Sequence, residues 1–283
     1  MTQGNRQQDY LRLASEITTL AMRRNNNSWR LASHLLARSE RQAVQSIYGF
    51  VYLAGELVAS LDNKQLLQEF KQETYKAIKR QLSFNPILQA FAATALRYKI
   101  DVAMIEAFFS SKEAELTKTR YAQAEFDRYI YGSGEVIGLM CLKVFAADNR
   151  LLYQDSAPAA QSLGAAFQKL NILRNFGRDY REQKRLSIPN MGSIKQFSVA
   201  KKTEMEAAIS NDLTNSRSAI DALPLTAKIA VAAAFCYNEA LLNEIRGLTP
   251  AQLYSRRIHL PAYRKAWLVA QAIILQGLLG RKL

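Results

Sequence analysis

Apolar residues recur at spacings of three and four along almost the whole chain, and no stretch of useful length alternates apolar with polar. That period puts apolar side chains on one face of an α-helix, whereas a half-buried strand needs a period of two. Only 12 glycines and 6 prolines interrupt 283 residues, so breaks between helices are few. The expectation is an all-α chain, with helices near 7–24, 28–37, 39–60, 64–82, 86–98, 101–119, 123–147, 156–181, 198–221, 224–247 and 262–280. An apolar content of 49% suffices to bury one core at this length, and a single domain over 1–283 is expected. The clearest connections, NNN at 25–27 and the stretch 187–198, are too short to link separate domains.

One of these helices carries an unusual row. Gln168, Asn171, Asn175 and Asp179 are spaced three, four and four apart, which brings them onto one helix face. Leu163, Ala166, Leu170 and Leu173 point in other directions and are free to pack. A row on a solvated face is ordinarily Lys and Glu; three amides and a carboxylate instead suggest a face turned toward something that needs hydrogen bonds.

The segment QKLNILRNFGRDYREQKRLSIP (168–189) resembles the second signature of the squalene/phytoene synthase family, Q-x-x-N-I-L-R-D-x-x-x-D running into G-R-x-Y-x-P. Gln168, Asn171, Ile172, Leu173, Arg174, Asp179, Arg185 and Pro189 agree; the first aspartate is Asn175, the glycine Lys184 and the tyrosine Ser187. Further similarities follow in order over about residues 20–265. Ser28-Trp29 stand where the family has Ser-Phe, and SERQAVQSIYGFV (39–51) is similar to its R-x-A-(x)3-Y-A-F helix. YIYGSGEVIGLMCLKVFA (129–146) is similar to its Y-(x)4-A-G-x-V-G-x-M helix in the wording of bacterial carotenoid-type phytoene synthases. SRRIHLP (255–261) resembles its closing basic-plus-proline segment.

The resemblance implies an isoprenoid-synthase fold, helices around a deep cavity with diphosphates at its mouth and prenyl tails in its depth. It implies head-to-head condensation of two allylic prenyl diphosphates, here geranylgeranyl diphosphate, in carotenoid biosynthesis. Carried over residue by residue, it makes Tyr48, Tyr129, Gln168 and Asn171 the catalytic cavity residues. Arg174 and Arg185 become diphosphate ligands, and Asp179, with Asn175 as a weak neutral donor, the magnesium ligands.

The family's first aspartate motif, D-D-x-x-D, has no counterpart. Gly55 and Ala59 stand at its outer, metal-chelating positions, Tyr52 stands where the family has an arginine, and Glu56 is the one acid left. One residue along a helix turns the side chain by about 100°, so Glu56 is expected to face elsewhere. Magnesium is a hard cation held through carboxylate and phosphate oxygens, and metal-bound charge is what draws a diphosphate leaving group away. Asp179 and Asn175 alone make a poor magnesium site, and Glu115 joins them only if it reaches. Arg178, Arg181 and Lys184 read as a solvated helix end, and any of the basic residues near Asp179 is able to bind phosphate without activating it.

Cys141 and Cys236 lie in apolar surroundings and read as small buried hydrophobes of a reducing compartment. His34 and His259 have no companion at ligand spacing and read as structural or surface residues. No charged-then-apolar leader opens the sequence, so cytoplasm is the expected location. The formal charge of +14 asks for an acidic partner. No aromatic-interleaved basic platform or groove-reading helix points to nucleic acid. The apolar run in WLVAQAIILQGLLGRKL (267–283) is too short to span a bilayer; it reads as a core-packing last helix or, with Arg281 and Lys282, one lying on the anionic inner face of a membrane. Two readings of function stay open: a phytoene synthase-like transferase, and a catalytically impaired relative that binds a prenyl diphosphate or a partner enzyme.

Overall fold

The computed structural model describes residues 3–24, 32–59, 61, 63–256 and 258–278. Ser28, Trp29, the 25–27 connection, Arg257, Arg281 and Lys282 lie outside them. Among the described residues there is no strand, as the three-and-four spacing requires. In chain order the helices are α1 (Gln3–Arg24), α2 (Arg38–Ala59), α3 (Lys64–Arg80), α4 (Pro86–Arg97), α5 (Val102–Thr117), α6 (Gln123–Ile130), α7 (Val136–Ala146), α8 (Arg150–Gln183), α9 (Val199–Ala222), α10 (Leu225–Arg246), α11 (Pro250–Ser255) and α12 (Ala262–Ala272).

Side-chain caps set several starts. Asn63 accepts from the Leu66 amide, Asn85 from those of Ile87 and Leu88 with Pro86 in the first turn, Asn149 from Leu152 and Ser198 from Lys201. Each satisfies an N–H that the helix leaves without a partner. The same device corrects two expectations. Helix α8 begins at Arg150 rather than 156, because Asn149 supplies its cap, and Pro158 sits inside the helix. Helix α11 was not expected: six residues are too few for a period, and its signal is the Thr249–Gln252 capping box around Pro250. The expected helix 123–147 is α6 and α7 joined by a wide π turn, Tyr131–Glu135. Of the expected helix 28–37, the described part is a short turn closed by Leu35 N–H to Ala32 O and Leu36 N–H to Ser33 O.

Helices α7 and α8 run antiparallel in contact. Gly134 meets Gly164 so closely that a Cβ on Gly134 would lie 2.6 Å from the Gly164 carbonyl oxygen, a separation no larger residue allows. On the far side, α2 is anchored by Phe50, which is fully buried and stacks on Phe91 at 4.0 Å with the rings 7° apart. Phe70, Phe108 and Phe109 complete that cluster at 5.0–5.6 Å from Phe50. Burying Phe50 fixes the rotation of α2 and turns its opposite face inward to a cavity. Two helices, Gln123–Ala146 and Leu225–Arg246, are long and apolar enough to cross a membrane, yet most of each is covered by protein. Cys141 is buried and Cys236 half-buried, both as free thiols, and His34 and His259 are exposed.

Candidate functional site

Tyr48, Val51, Tyr52, Gly55, Glu56 and Ala59 of α2 form one wall of a cavity of about 450 Å³, within the range of small-molecule sites. The facing walls come from α7 and α8, with α5, α9 and α10 closing the sides. Because α7 and α8 are antiparallel, the cavity has two chemically distinct ends. At one, Tyr129 lies against Gln168, and Asn171, Arg174, Asn175, Arg178, Asp179 and Arg185 continue along or just past α8. At the other, Ile137, Leu142 and Phe145 of α7 face Ala159, Ala160 and Leu163 of α8. Helix α2 spans both, with Tyr48 near Cys141 and Ala59 beside Gln183, whose side-chain amide donates to the Ala59 carbonyl at 3.4 Å.

The polar end is built on Glu115. Lys112 donates to its carboxylate at 2.6 Å, and the Tyr129 hydroxyl donates to the same oxygen at 3.1 Å while accepting from Gln168 at 3.0 Å. Arg185 donates to the Glu115 carbonyl at 2.6 Å and stands 3.9 Å from its carboxylate. Lys112, Glu115 and Tyr129 are all buried, so the pair meets the rule that a buried charge needs a partner. Arg185 is brought there by a single parallel bridge between Arg120 and Leu186, in which the Leu186 amide donates to the Thr119 carbonyl at 2.8 Å. Burial, then the Glu115 charge, pushes the Tyr129 phenol well above its ordinary value, so it stays a neutral donor. Loss of water around the Tyr48 hydroxyl raises its phenol likewise.

Along α8 the amides form a relay. Arg174 donates to Asn171 Oδ1 at 2.6 Å and Asn175 donates to the same atom at 2.9 Å. A guanidinium only donates, so Asn171 presents its oxygen, Asn175 presents its NH2, and Asn175 Oδ1 is left facing away. That oxygen is buried and has no hydrogen-bond partner among the described residues. Arg178 places two nitrogens on Asp179 Oδ1, at 3.1 and 3.0 Å. Burial raises the Asp179 carboxyl above its usual range, with the neighbouring Arg178 pulling the other way.

The residues expected to be catalytic, diphosphate-binding or metal-binding all line this cavity: Tyr48, Tyr129, Gln168, Asn171, Arg174, Asn175, Asp179 and Arg185. Glu56 lines it too, which corrects the expectation that it faces elsewhere. The α2 wall runs over Val51, Tyr52, Gly55 and Glu56, an arc wider than the ~100° of one helical step, so adjacent positions share it. Arg178 also lines the cavity rather than capping a solvated end, whereas Arg181 donates to the Tyr254 carbonyl and Lys184 covers the Tyr180 ring at 5.5 Å. Sequence reasoning missed Lys112, and it missed Ser216 and Asn238, two buried polar residues in the walls from α9 and α10.

These residues do not fit a magnesium ion. Among the described residues no group of three or more His, Cys, Asp or Glu side chains is placed to hold a metal. A Cβ on Gly55 would meet nothing within 4 Å, so the first chelating position is open space. Glu115 reaches the cavity but is committed to Lys112, Tyr129 and Arg185, and Asp179 is held by Arg178. The oxygen set that a hard cation needs is not assembled.

Comparison with known proteins gives a consistent picture. The squalene/phytoene synthase family profile matches residues 22–264. A phytoene synthase of Mycobacterium tuberculosis is 28% identical over 178 residues, 60% of this chain and 54% of that protein. A 4,4'-diapophytoene synthase of Staphylococcus haemolyticus is 24% identical over 201 residues, 68% of this chain and 65% of that protein. The chain thus spans about half to two thirds of the length of these curated relatives. Among solved structures, a dehydrosqualene synthase in complex with ligand superposes with a TM-score of 0.81 at 20% identity, covering 95% of this chain and 96% of that one. A squalene synthase from Alicyclobacillus acidocaldarius gives a TM-score of 0.71 at 15% identity, covering 83% and 94%. These two establish the shared fold.

Proposed function

The chain belongs to the squalene/phytoene synthase family, and on that premise we propose that its cavity takes a prenyl diphosphate. The headgroup lies among Gln168, Asn171, Arg174 and Arg178, and the hydrocarbon runs along α8 toward Ile137, Phe145 and Leu163. The observation that carries this reading is the division of one continuous cavity into an end of amides and cations and an end of aliphatic and aromatic walls. Geranylgeranyl diphosphate is the substrate the sequence resemblance implies.

The family's chemistry is head-to-head condensation of two such allylic diphosphates, which starts with loss of one diphosphate. With Gly55 and Ala59 at the chelating positions and Asp179 held by Arg178, magnesium-driven loss of that group has no support here, and the chain reads as a prenyl-diphosphate-binding relative. Turnover is the second reading. One observation favours it: Tyr129, oriented by Gln168 and Glu115, holds a neutral hydroxyl on the cavity wall, its oxygen keeping a lone pair that can face a cation. Incubating purified protein with labelled geranylgeranyl diphosphate and magnesium separates the two. Binding without product supports the first reading, product that is lost in Asp179→Ala supports the second, and absence of binding refutes both.

A membrane-facing role fits the same substrate, because prenyl chains reside in lipid. On α12 and the turn after it, Tyr263, Trp267, Ile273 and Ile274 are exposed on one face. That is an aromatic-bearing apolar strip of the interfacial kind. The net charge of +14 favours an anionic surface, and we propose the inner face of a membrane as its occupant.

A further inference from the structure

The polar end of the cavity lacks the oxygens that would hold magnesium, yet it is not short of positive charge. Lys112, Arg174, Arg178 and Arg185 line the cavity against three carboxylates, Glu56, Glu115 and Asp179. The family's pattern, with aspartates at 55, 59 and 175 and an arginine at 52, would make it five cations against six carboxylates, a net negative mouth for which metal supplies the missing positive charge. This chain has the opposite sign. We propose that the diphosphate is held here directly by guanidinium and ammonium groups, without a divalent metal.

Arg178 is the group best placed to exchange its partner for the ligand. It is half-exposed, its side chain 41% accessible, and it spends two of its five N–H donors on a single oxygen of the adjacent residue. Two phosphate oxygens offer the side-by-side geometry a guanidinium prefers, which one carboxylate oxygen does not. Arg174 presents the neighbouring position on α8, with one terminal nitrogen fixed on Asn171. The buried oxygen of Asn175 accepts only, so it takes a donor: a water bridging to the phosphate or the P–OH of a protonated headgroup. Opposite, nothing lies within 4 Å of a Cβ at Gly55, and of the α2 residues on that wall only Glu56 carries a carboxylate.

This inference rests on the prenyl-diphosphate reading, and the experiment keeps the two apart. Binding of geranylgeranyl diphosphate to the full chain is titrated calorimetrically in EDTA and in millimolar magnesium at matched ionic strength, with geranylgeraniol as the uncharged probe. The expected result is equal affinity in both buffers, within roughly twofold, with the alcohol weaker by at least about tenfold. Arg178→Gln should lower diphosphate affinity by roughly tenfold to a hundredfold, the worth of a charge-assisted hydrogen bond, and leave the alcohol unaffected. Arg150→Gln removes the same charge from an exposed position at the far end of α8, about 40 Å away at 1.5 Å per residue, and should change neither. Binding that appears only with magnesium overturns the inference and leaves the functional reading standing. Diphosphate and alcohol binding equally, or Arg150→Gln weakening binding as much as Arg178→Gln, overturns direct recognition of the headgroup. Failure of both probes in both buffers overturns the reading itself.

Discussion

Rebuilding the missing chelate is the sharpest test of how far this cavity has left magnesium chemistry. In the triple variant Gly55→Asp, Ala59→Asp, Asn175→Asp, three carboxylates join the cavity walls. The first has room, since nothing lies within 4 Å of a Cβ at Gly55, and replacing glycine inside a helix recovers about 0.3 kcal/mol. The second costs about 0.7 kcal/mol in helix propensity. The third sets an acceptor where Asn175 donates to Asn171 Oδ1 at 2.9 Å, which removes a hydrogen bond and faces two oxygens, about 1–2 kcal/mol. The metal-free variant should therefore be about 2 kcal/mol less stable than the natural chain. Magnesium at ten times its dissociation constant returns about 1.4 kcal/mol by mass action. For a chain of this size that corresponds to a rise of about 3 °C in melting temperature. Thermal unfolding followed by circular dichroism, in EDTA and in magnesium at matched ionic strength, reads this directly. The natural chain should move by less than about 1 °C. If it rises as much as the variant, its own side chains bind the ion, and the argument from the lost carboxylates is wrong.

Three further outcomes follow. Asp179 has its folded-state value raised by burial, so the folded chain binds more protons than the unfolded one, and stability falls as pH rises from 3.8 through that raised value. Asp179→Asn should thus stabilise the protein at neutral pH, a gain that fades below pH 3.8 in denaturant titrations across pH. Phe50→Ala removes the ring stacked on Phe91 and should cost about 3–5 kcal/mol in urea unfolding, with the α2 wall loosening so that prenyl diphosphate affinity drops with it. Trp267→Ser should reduce co-sedimentation with vesicles of anionic lipid and leave ligand binding in solution unchanged; equal sedimentation would remove α12 from any membrane contact.

The parts of this site that a reader of the sequence can find are those written along one helix. Gln168, Asn171, Asn175 and Asp179 need only the 3.6-residue period to fall in line, and they do. Glu56 misleads for a related reason: the period gives its angle correctly, but not how wide a wall its neighbours make, and that width depends on Phe50 being pinned behind α2. Glu115 is legible only through the family pattern, and Lys112, three residues before it, carries no signal of its own in the sequence. Only the bridge between Arg120 and Leu186, which sets Arg185 against Glu115, brings the segment after α8 beside them. Ser216 and Asn238 sit on separate helices and share a cavity only after α9 and α10 assemble.

Lys184 shows the same boundary between local and assembled information. The family pattern has glycine there, and the backbone explains why: φ is 53°, the left-handed region that glycine enters freely. Lysine pays about 1 kcal/mol for that conformation. The amide of Lys184 still closes the end of α8 onto the Tyr180 carbonyl at 3.0 Å, and the Arg185 amide onto Asp179 at 3.3 Å. The turn that delivers Arg185 to Glu115 therefore survives a residue unsuited to it. At Gly55 and Ala59 the α2 wall likewise still lines the cavity, without the carboxylates of the family pattern. The proposed binding of a prenyl diphosphate and its ionisation make different demands on such a cavity, because binding needs shape and counter-charge, whereas ionisation needs a cation positioned on the leaving group.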